Sequence, residues 1–188
     1  MSARVREHAT YEDLLRVPEN MVAELIEGEL FASPRPRSSH ANAASGIGYA
    51  VGPAYHFGST GPGGWWILHE PEVHFGADVL VPDLAGWRKE RLPELPKGNI
   101  SEVPDWVCEV LSPSTSRFDR GKKLPIYAHN GVRWAWVVDP DDQHLEVRRL
   151  ENGVWTEVAV FTAGETVRAE PFDAIEIDMT LVWGPPPA

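Results

Sequence analysis

An acid sits in the middle of an apolar run, Val107-Cys108-Glu109-Val110-Leu111, and this feature restricts the fold most tightly. As a strand, the run points alternate side chains to opposite faces. Val107, Glu109 and Leu111 then share one face, and Trp106, Cys108 and Val110 the other. Both faces are apolar apart from Glu109. Such a strand belongs in the centre of a sheet covered on both sides. The segment SPSTS follows and ends it. A buried carboxylate without a partner costs several kcal/mol or takes up a proton. Glu109 therefore needs a cation, a metal or a hydrogen-bond network. A structural salt bridge or a protonated acid would also meet that need, so the strand alone leaves both readings open.

The rest of the chain supplies the layers. Thr10 and Asp13 form a capping-box pattern, with Asp in place of Glu, and open a short helix to about Arg16. The stretch MVAELIEGELF alternates around Gly28 and reads as a hairpin, or as a helix end passing into a strand. SPRPRSS is a loop. Residues 40–51 read as a helix with a small-residue face for close packing, although its glycines count against it. Residues 58–64 are a turn-rich loop. Short strands are expected at 65–69, 72–75, 79–81 and 84–87, then a surface loop over 89–104 and the central strand at 106–111. Residues 118–129 read as a helix ended by Asn130-Gly131, with Pro125 inside it. A strand at 132–138 follows, then a hairpin of 145–150 and 154–160 across Glu151-Asn152-Gly153. A last strand lies around 175–178, before the tail GPPPA. Helices come first, then strands with one helix inserted. That order predicts a single α/β (α+β) domain over residues 1–188 with a mixed β-sheet flanked by helices.

Charge limits the partners. The chain carries 17 Lys and Arg against 28 Asp and Glu, a formal net charge of −11. That sign opposes nucleic-acid binding by bulk charge. A nucleic-acid role must rest on local positive charge, or on metal ions that offset carboxylates. No apolar run approaches the ~20 residues that span a bilayer, and the first residues lack a signal-peptide core. The single cysteine, Cys108, excludes an intrachain disulfide and a cysteine-rich zinc site. A cytoplasmic protein without membrane contact is the plain expectation.

A second acid shares the setting of Glu109. Asp83 follows the apolar run Val79 to Val81, with Pro82 marking a bend or an edge. Pro-Asp is also a common turn pair. Pro104-Asp105 repeats the pair, but Asp105 and Glu109 are four residues apart on one strand, roughly 13 Å at ~3.3 Å per residue. They cannot share one small cation. Asp83 and Glu109 come from different strands and can converge. Mg²⁺ is often held by one or two carboxylates plus water and phosphate oxygens, as metal-assisted phosphodiester hydrolysis requires. After Glu109 comes a basic run, RFDRGKK. On a helix, Asp119, Lys123 and Tyr127 recur at i, i+4 and i+8 and share a face. That face is either a solvated Asp119–Lys123 pair or points Lys123 at the site. Lys122 projects about 100° away on a helix and is the weaker candidate.

These residues resemble a known family. Pro82-Asp83, the segment EVLSPST from Glu109, then Asp119, Lys123, Tyr127, Gly131-Val132 and the segment WVVDP from Trp136 look like the Uma-type restriction-endonuclease family of the PD-(D/E)XK nuclease superfamily. The segment ELIEGEL from Glu24, with Pro34 and His40, is similar to that family's N-terminal block. The resemblance runs from about Thr10 to Val182. It implies a restriction-endonuclease-like core with a metal site at the sheet. Asp83 matches the Asp of the Pro-Asp motif, and Glu109 the acid of (D/E)XK. The usual lysine position is Leu111 here, and Lys123 on the following helix matches the displaced lysine. Glu24 matches an acid on the first core helix. His40 matches a recurrent histidine of unassigned role.

The resulting expectation is a metal-dependent endonuclease acting on DNA. Asp83 and Glu109 hold Mg²⁺ (or Mn²⁺), Glu24 assists through water or a second ion, and Lys123 positions the nucleophile. Related folds often pair, so a homodimer is expected. Two alternatives stand beside it. One is a non-catalytic binding or regulatory protein on the same scaffold, which the net charge favours. The other is a buried Glu109–Lys123 ion pair with a purely structural role.

Overall fold

The computed structural model describes residues 3–6, 8–113 and 115–184, with no side-chain description for residues 3–5. Ser114 of the SPSTS segment and residues 185–188 of the tail lie outside the described residues. Two sheets carry the fold. The first contains β1 (Ala3–Arg6), β2 (Met21–Ile26), β3 (Glu29–Pro34), β5 (Val73–Phe75) and β6 (Asp78–Leu80), in the order β1-β3-β2-β6-β5. The second contains β4 (Trp65–His69), β7 (Leu84–Arg88), β8 (Trp106–Val110), β9 (Trp134–Asp139), β10 (His144–Glu151) and β11 (Val154–Thr162), in the order β11-β10-β9-β8-β7-β4. The second sheet is mixed: β8 and β9 run parallel, and the other pairs are antiparallel. The short strands β12 (Thr166–Val167) and β13 (Ile177–Asp178) pair separately.

β8 is the central strand that its sequence requires, and all five of its residues are buried. Its two faces enter two cores. Trp106, Cys108 and Val110 pack with Ile47, Trp136, Phe172 and Val182, while Val107 and Leu111 pack with Ile26, Trp87, Leu124 and Tyr127. Helix α2 (Ser38–Val51) covers the first face and ends in a wide π turn, Gly52–His56. Its glycines are there for close approach. A Cβ on Gly46 would lie 2.8 Å from the backbone of Leu181 and Val182 in α5 (Met179–Trp183), and one on Gly48 would fall on the His69 ring. No helix among the described residues is long and apolar enough to cross a membrane.

Four expectations change here. Strands, not helices, dominate the N-terminal part. Among the described residues the only helix before β2 is one turn, α1 (Tyr11–Leu14), where the Asp13 carboxylate accepts the Thr10 N–H at 2.9 Å. The stretch from Met21 is a β2–β3 hairpin turning at Glu27 and Gly28, both with positive φ (53° and 74°). Glu24 therefore stands on a strand and not on a helix. Asp83 stands in the bend before β7, not in a strand. Finally, the helix after β8 is not continuous α. It comprises α3 (Ser116–Phe118), a π turn (Asp119–Lys123) and α4 (Leu124–His129). Pro125 lacks the N–H that would bond Gly121 in an α-helix, and the wider turn lies just ahead of it.

Candidate active site

Register places the first two acids. Leu84 pairs with Cys108 across β7 and β8, so Asp83 comes beside Glu109 and Val110. Asp83 Oδ2 accepts the Val110 N–H at 2.7 Å and lies 3.2 Å from His40 Nε2. Among the described residues, Asp83 Oδ1 takes no hydrogen bond, so one oxygen is fixed and the other is free. Both acids line a cleft of about 590 Å³, together with Glu24, His40, Asp119 and Lys123.

Lys123 is the hub of this cleft. Its ammonium is buried, donating to Val81 O and Glu109 Oε2 at 3.0 Å each and lying 3.0 Å from Glu24 Oε1 and 2.9 Å from Glu109 Oε1. Three N–H groups meet four oxygens of three residues, so its donor capacity is filled. Burial works against its charge, but Glu109 and Glu24 outweigh that and hold it well above the usual lysine range. Glu24 also accepts the Val81 N–H at 3.0 Å. Glu109 Oε1 accepts the Tyr127 hydroxyl at 2.6 Å. Lys122 points elsewhere, to Glu27 at 3.2 Å and Glu29 at 3.7 Å.

The acids outnumber the cation. Burial raises Glu109 well above the ordinary carboxylate range; Lys123 opposes this, while Asp119, Asp83 and Glu24 add to it. Asp119, buried on the π turn, is pushed up to about 6 by burial and by the charges of Asp83 and Glu24, against Lys123 and a Thr115 hydrogen bond. His40 is raised too: burial lowers it, but the hydrogen bond and charge of Asp83 prevail, helped by Asp119. Four carboxyls thus share one cleft with one ammonium. Hard oxygen donors in negative excess, with Asp83 Oδ1 and Glu24 Oε2 taking no hydrogen bond among the described residues, fit a cation such as Mg²⁺.

The structure brings together all four acids and bases singled out in the sequence: Asp83, Glu109, Lys123 and Glu24. It adds Asp119 and Tyr127, whose signal was their spacing of four from Lys123. His40 offered no such signal. Asp105 is elsewhere, accepting the Arg88 N–H at 2.9 Å and pairing with Arg91 at 2.9 Å. A separate group, Asp139, Asp142 and His144, has ligand atoms within 4.8 Å of one another. It lies outside the cleft, and Asp139 already closes its own turn by accepting the Asp141 and Asp142 N–H groups at 3.0 and 3.1 Å.

Comparison with known proteins gives a family and a fold. The model of the Uma2 family, described as "Putative restriction endonuclease", matches residues 9–180. A crystal structure described as "a putative nuclease belonging to DUF820" from Anabaena variabilis has the same fold. It superposes with a TM-score of 0.73 at 24% identity, covering 93% of this chain and 97% of that one. None of the curated proteins matches.

Proposed function

Because the chain belongs to the Uma2 restriction-endonuclease family, we propose that it hydrolyses phosphodiester bonds in DNA with a divalent cation, Mg²⁺ or Mn²⁺, held by Asp83 and Glu109. The observation that carries this reading is the cleft itself, lined by Glu24, Asp83, Glu109 and Asp119, with Glu24 and Glu109 paired to the ammonium of Lys123. A bound divalent cation would supply Lewis-acid polarisation of the phosphate and lower the pKa of a water. The protein's part is positioning. The Val110 N–H and His40 fix Asp83 Oδ2, which leaves Oδ1 for the cation. Tyr127 holds Glu109 Oε1, and Lys123 spans both Glu109 oxygens, so a cation held here shares them with these donors. Glu24 and Val81 O hold Lys123 against Glu109. Lys123 orients an attacking water only by releasing one of its present acceptors. That water adds to phosphorus, the bond to one ester oxygen breaks, and the leaving oxygen gains a proton.

Incubation of plasmid and linear DNA with the protein in MgCl₂ or MnCl₂ tests the reading. Cleavage is expected, and a chelator abolishes it. Asp83→Ala and Glu109→Ala should each slow cleavage at least about a hundredfold, since each removes a group that fixes the charge-stabilising cation. Undiminished cleavage in both variants would remove the mechanism. One observation favours the non-catalytic alternative: the donors of Lys123 are already filled. In that case the protein binds cation and DNA but cleaves neither DNA form.

A further inference from the structure

Cations around the cleft are mostly paired with acids of the protein. Lys123 is held by Glu24 and Glu109, Lys122 by Glu27, and Arg35 by Glu70 at 2.5 Å. Arg37 differs. It lines the same cleft, and its exposed side chain has neither an ion pair nor a hydrogen bond among the described residues. In a chain with 28 acids and 17 cations, a guanidinium left free at the rim of an acidic cleft is available for something else.

Its neighbourhood indicates what. Arg37 is the residue just before α2, and His40 follows three positions later. That spacing puts the two on one side of the first turn, and both line the cleft. His40 Nε2 is engaged by Asp83, but Nδ1 is buried and has no partner. One turn of α2 therefore sets a free guanidinium on the same cleft that Asp83 and His40 line.

We propose that this turn is the subsite for a backbone phosphate of DNA next to the scissile one, with Arg37 as the residue that grips it. The proposal rests on the nuclease reading above. A planar guanidinium matches phosphate oxygens two at a time. A chain of net charge −11 can hold a polyanion only through such local contacts. The contact is to the backbone, so it carries no sequence information.

Fluorescence anisotropy of a labelled duplex with the full chain in CaCl₂ reads this directly, with gels confirming that the DNA stays intact. Arg37→Ala should weaken binding roughly tenfold for two unrelated sequences. It should also reduce the slope of log K against log salt by about 0.9, one phosphate contact. Arg37→Lys should recover part of the affinity. Arg133→Ala makes the same charge change before β9, whose first residue pairs with the end of β8 remote from Glu109, and should bind like the wild type. Equal affinity of Arg37→Ala and wild type, an equal loss in Arg133→Ala, or no DNA binding by the wild type would overturn the subsite. The two readings fail separately. Arg37-dependent binding without cleavage in Mg²⁺ removes the nuclease reading, whereas cleavage with unchanged KM in Arg37→Ala removes the subsite.

Discussion

Replacing Lys123 with methionine should destabilise the cation-free protein by about 3–5 kcal/mol. The ammonium is buried between Glu24 and Glu109 at 3.0 and 2.9 Å. Methionine fills similar space but leaves two buried carboxylates without their counter-charge. At about 2–4 °C per kcal/mol for a chain of this size, the melting midpoint should fall by roughly 6–20 °C. Cation should then recover part of the loss. Millimolar MnCl₂ is expected to raise the midpoint of Lys123→Met more than that of the wild type, because it replaces the missing positive charge. Thermal melts with chelator and with MnCl₂ make the comparison. An identical loss in both media would mean that Lys123 closes a structural ion pair and that no cation reaches these acids.

The opposite sign is expected at Asp119. Its carboxyl is buried and pushed up to about 6, against an ordinary value of 3.8. A raised acid favours the folded state below the ordinary value and loses that contribution as pH rises through 6. Above pH 6, both folded and unfolded chains carry the charge, and the folded one carries it at a cost. Two pH units at 1.36 kcal/mol each make that cost roughly 3 kcal/mol. Asp119→Asn should therefore stabilise the cation-free protein at pH 8 by about 2–3 kcal/mol. The gain should shrink as pH falls from 6 toward 4. Denaturant titrations in chelator at pH 8, 6 and 4 check this. A variant less stable than wild type at pH 8 would show that the Asp119 charge is already compensated.

Much of the site was legible because burial and charge conflict in the sequence. VCEVL could only be a covered central strand, and it is one, with Glu109 on the face that Val107 and Leu111 share. The spacing of Asp119, Lys123 and Tyr127 was also sufficient. All three are buried, and Lys123 and Tyr127 meet Glu109, although a π turn replaces the regular helix. The hairpin at Asn152-Gly153 followed from its turn residues, which adopt positive φ of 52° and 80°.

What stayed open or failed was set by pairing partners that the local pattern does not specify. MVAELI is too short for its apolar pattern to separate strand from helix. Pairing with Glu29–Pro34 decides the matter and puts Glu24 on β2. The Asp83 bend needs the Val110 N–H, 27 positions away, to hold the carboxylate. β12 is two residues long and exists only through its pairing with β13. His40 was a lone histidine in a small-residue helix, and its pairing with Asp83 depends on how α2 lies across the sheet.

Calorimetric titration of MnCl₂ into the wild type and into Asp83→Ala, both freed of cation by chelator, tests the central claim most directly. Asp83 contributes a carboxylate oxygen that takes no hydrogen bond among the described residues. The account predicts saturable binding to the wild type that is lost, or weakened at least about tenfold, in Asp83→Ala. An isotherm unchanged by the substitution would place the cation elsewhere, as at Asp139, Asp142 and His144. That result, or no binding by either protein, would contradict the account.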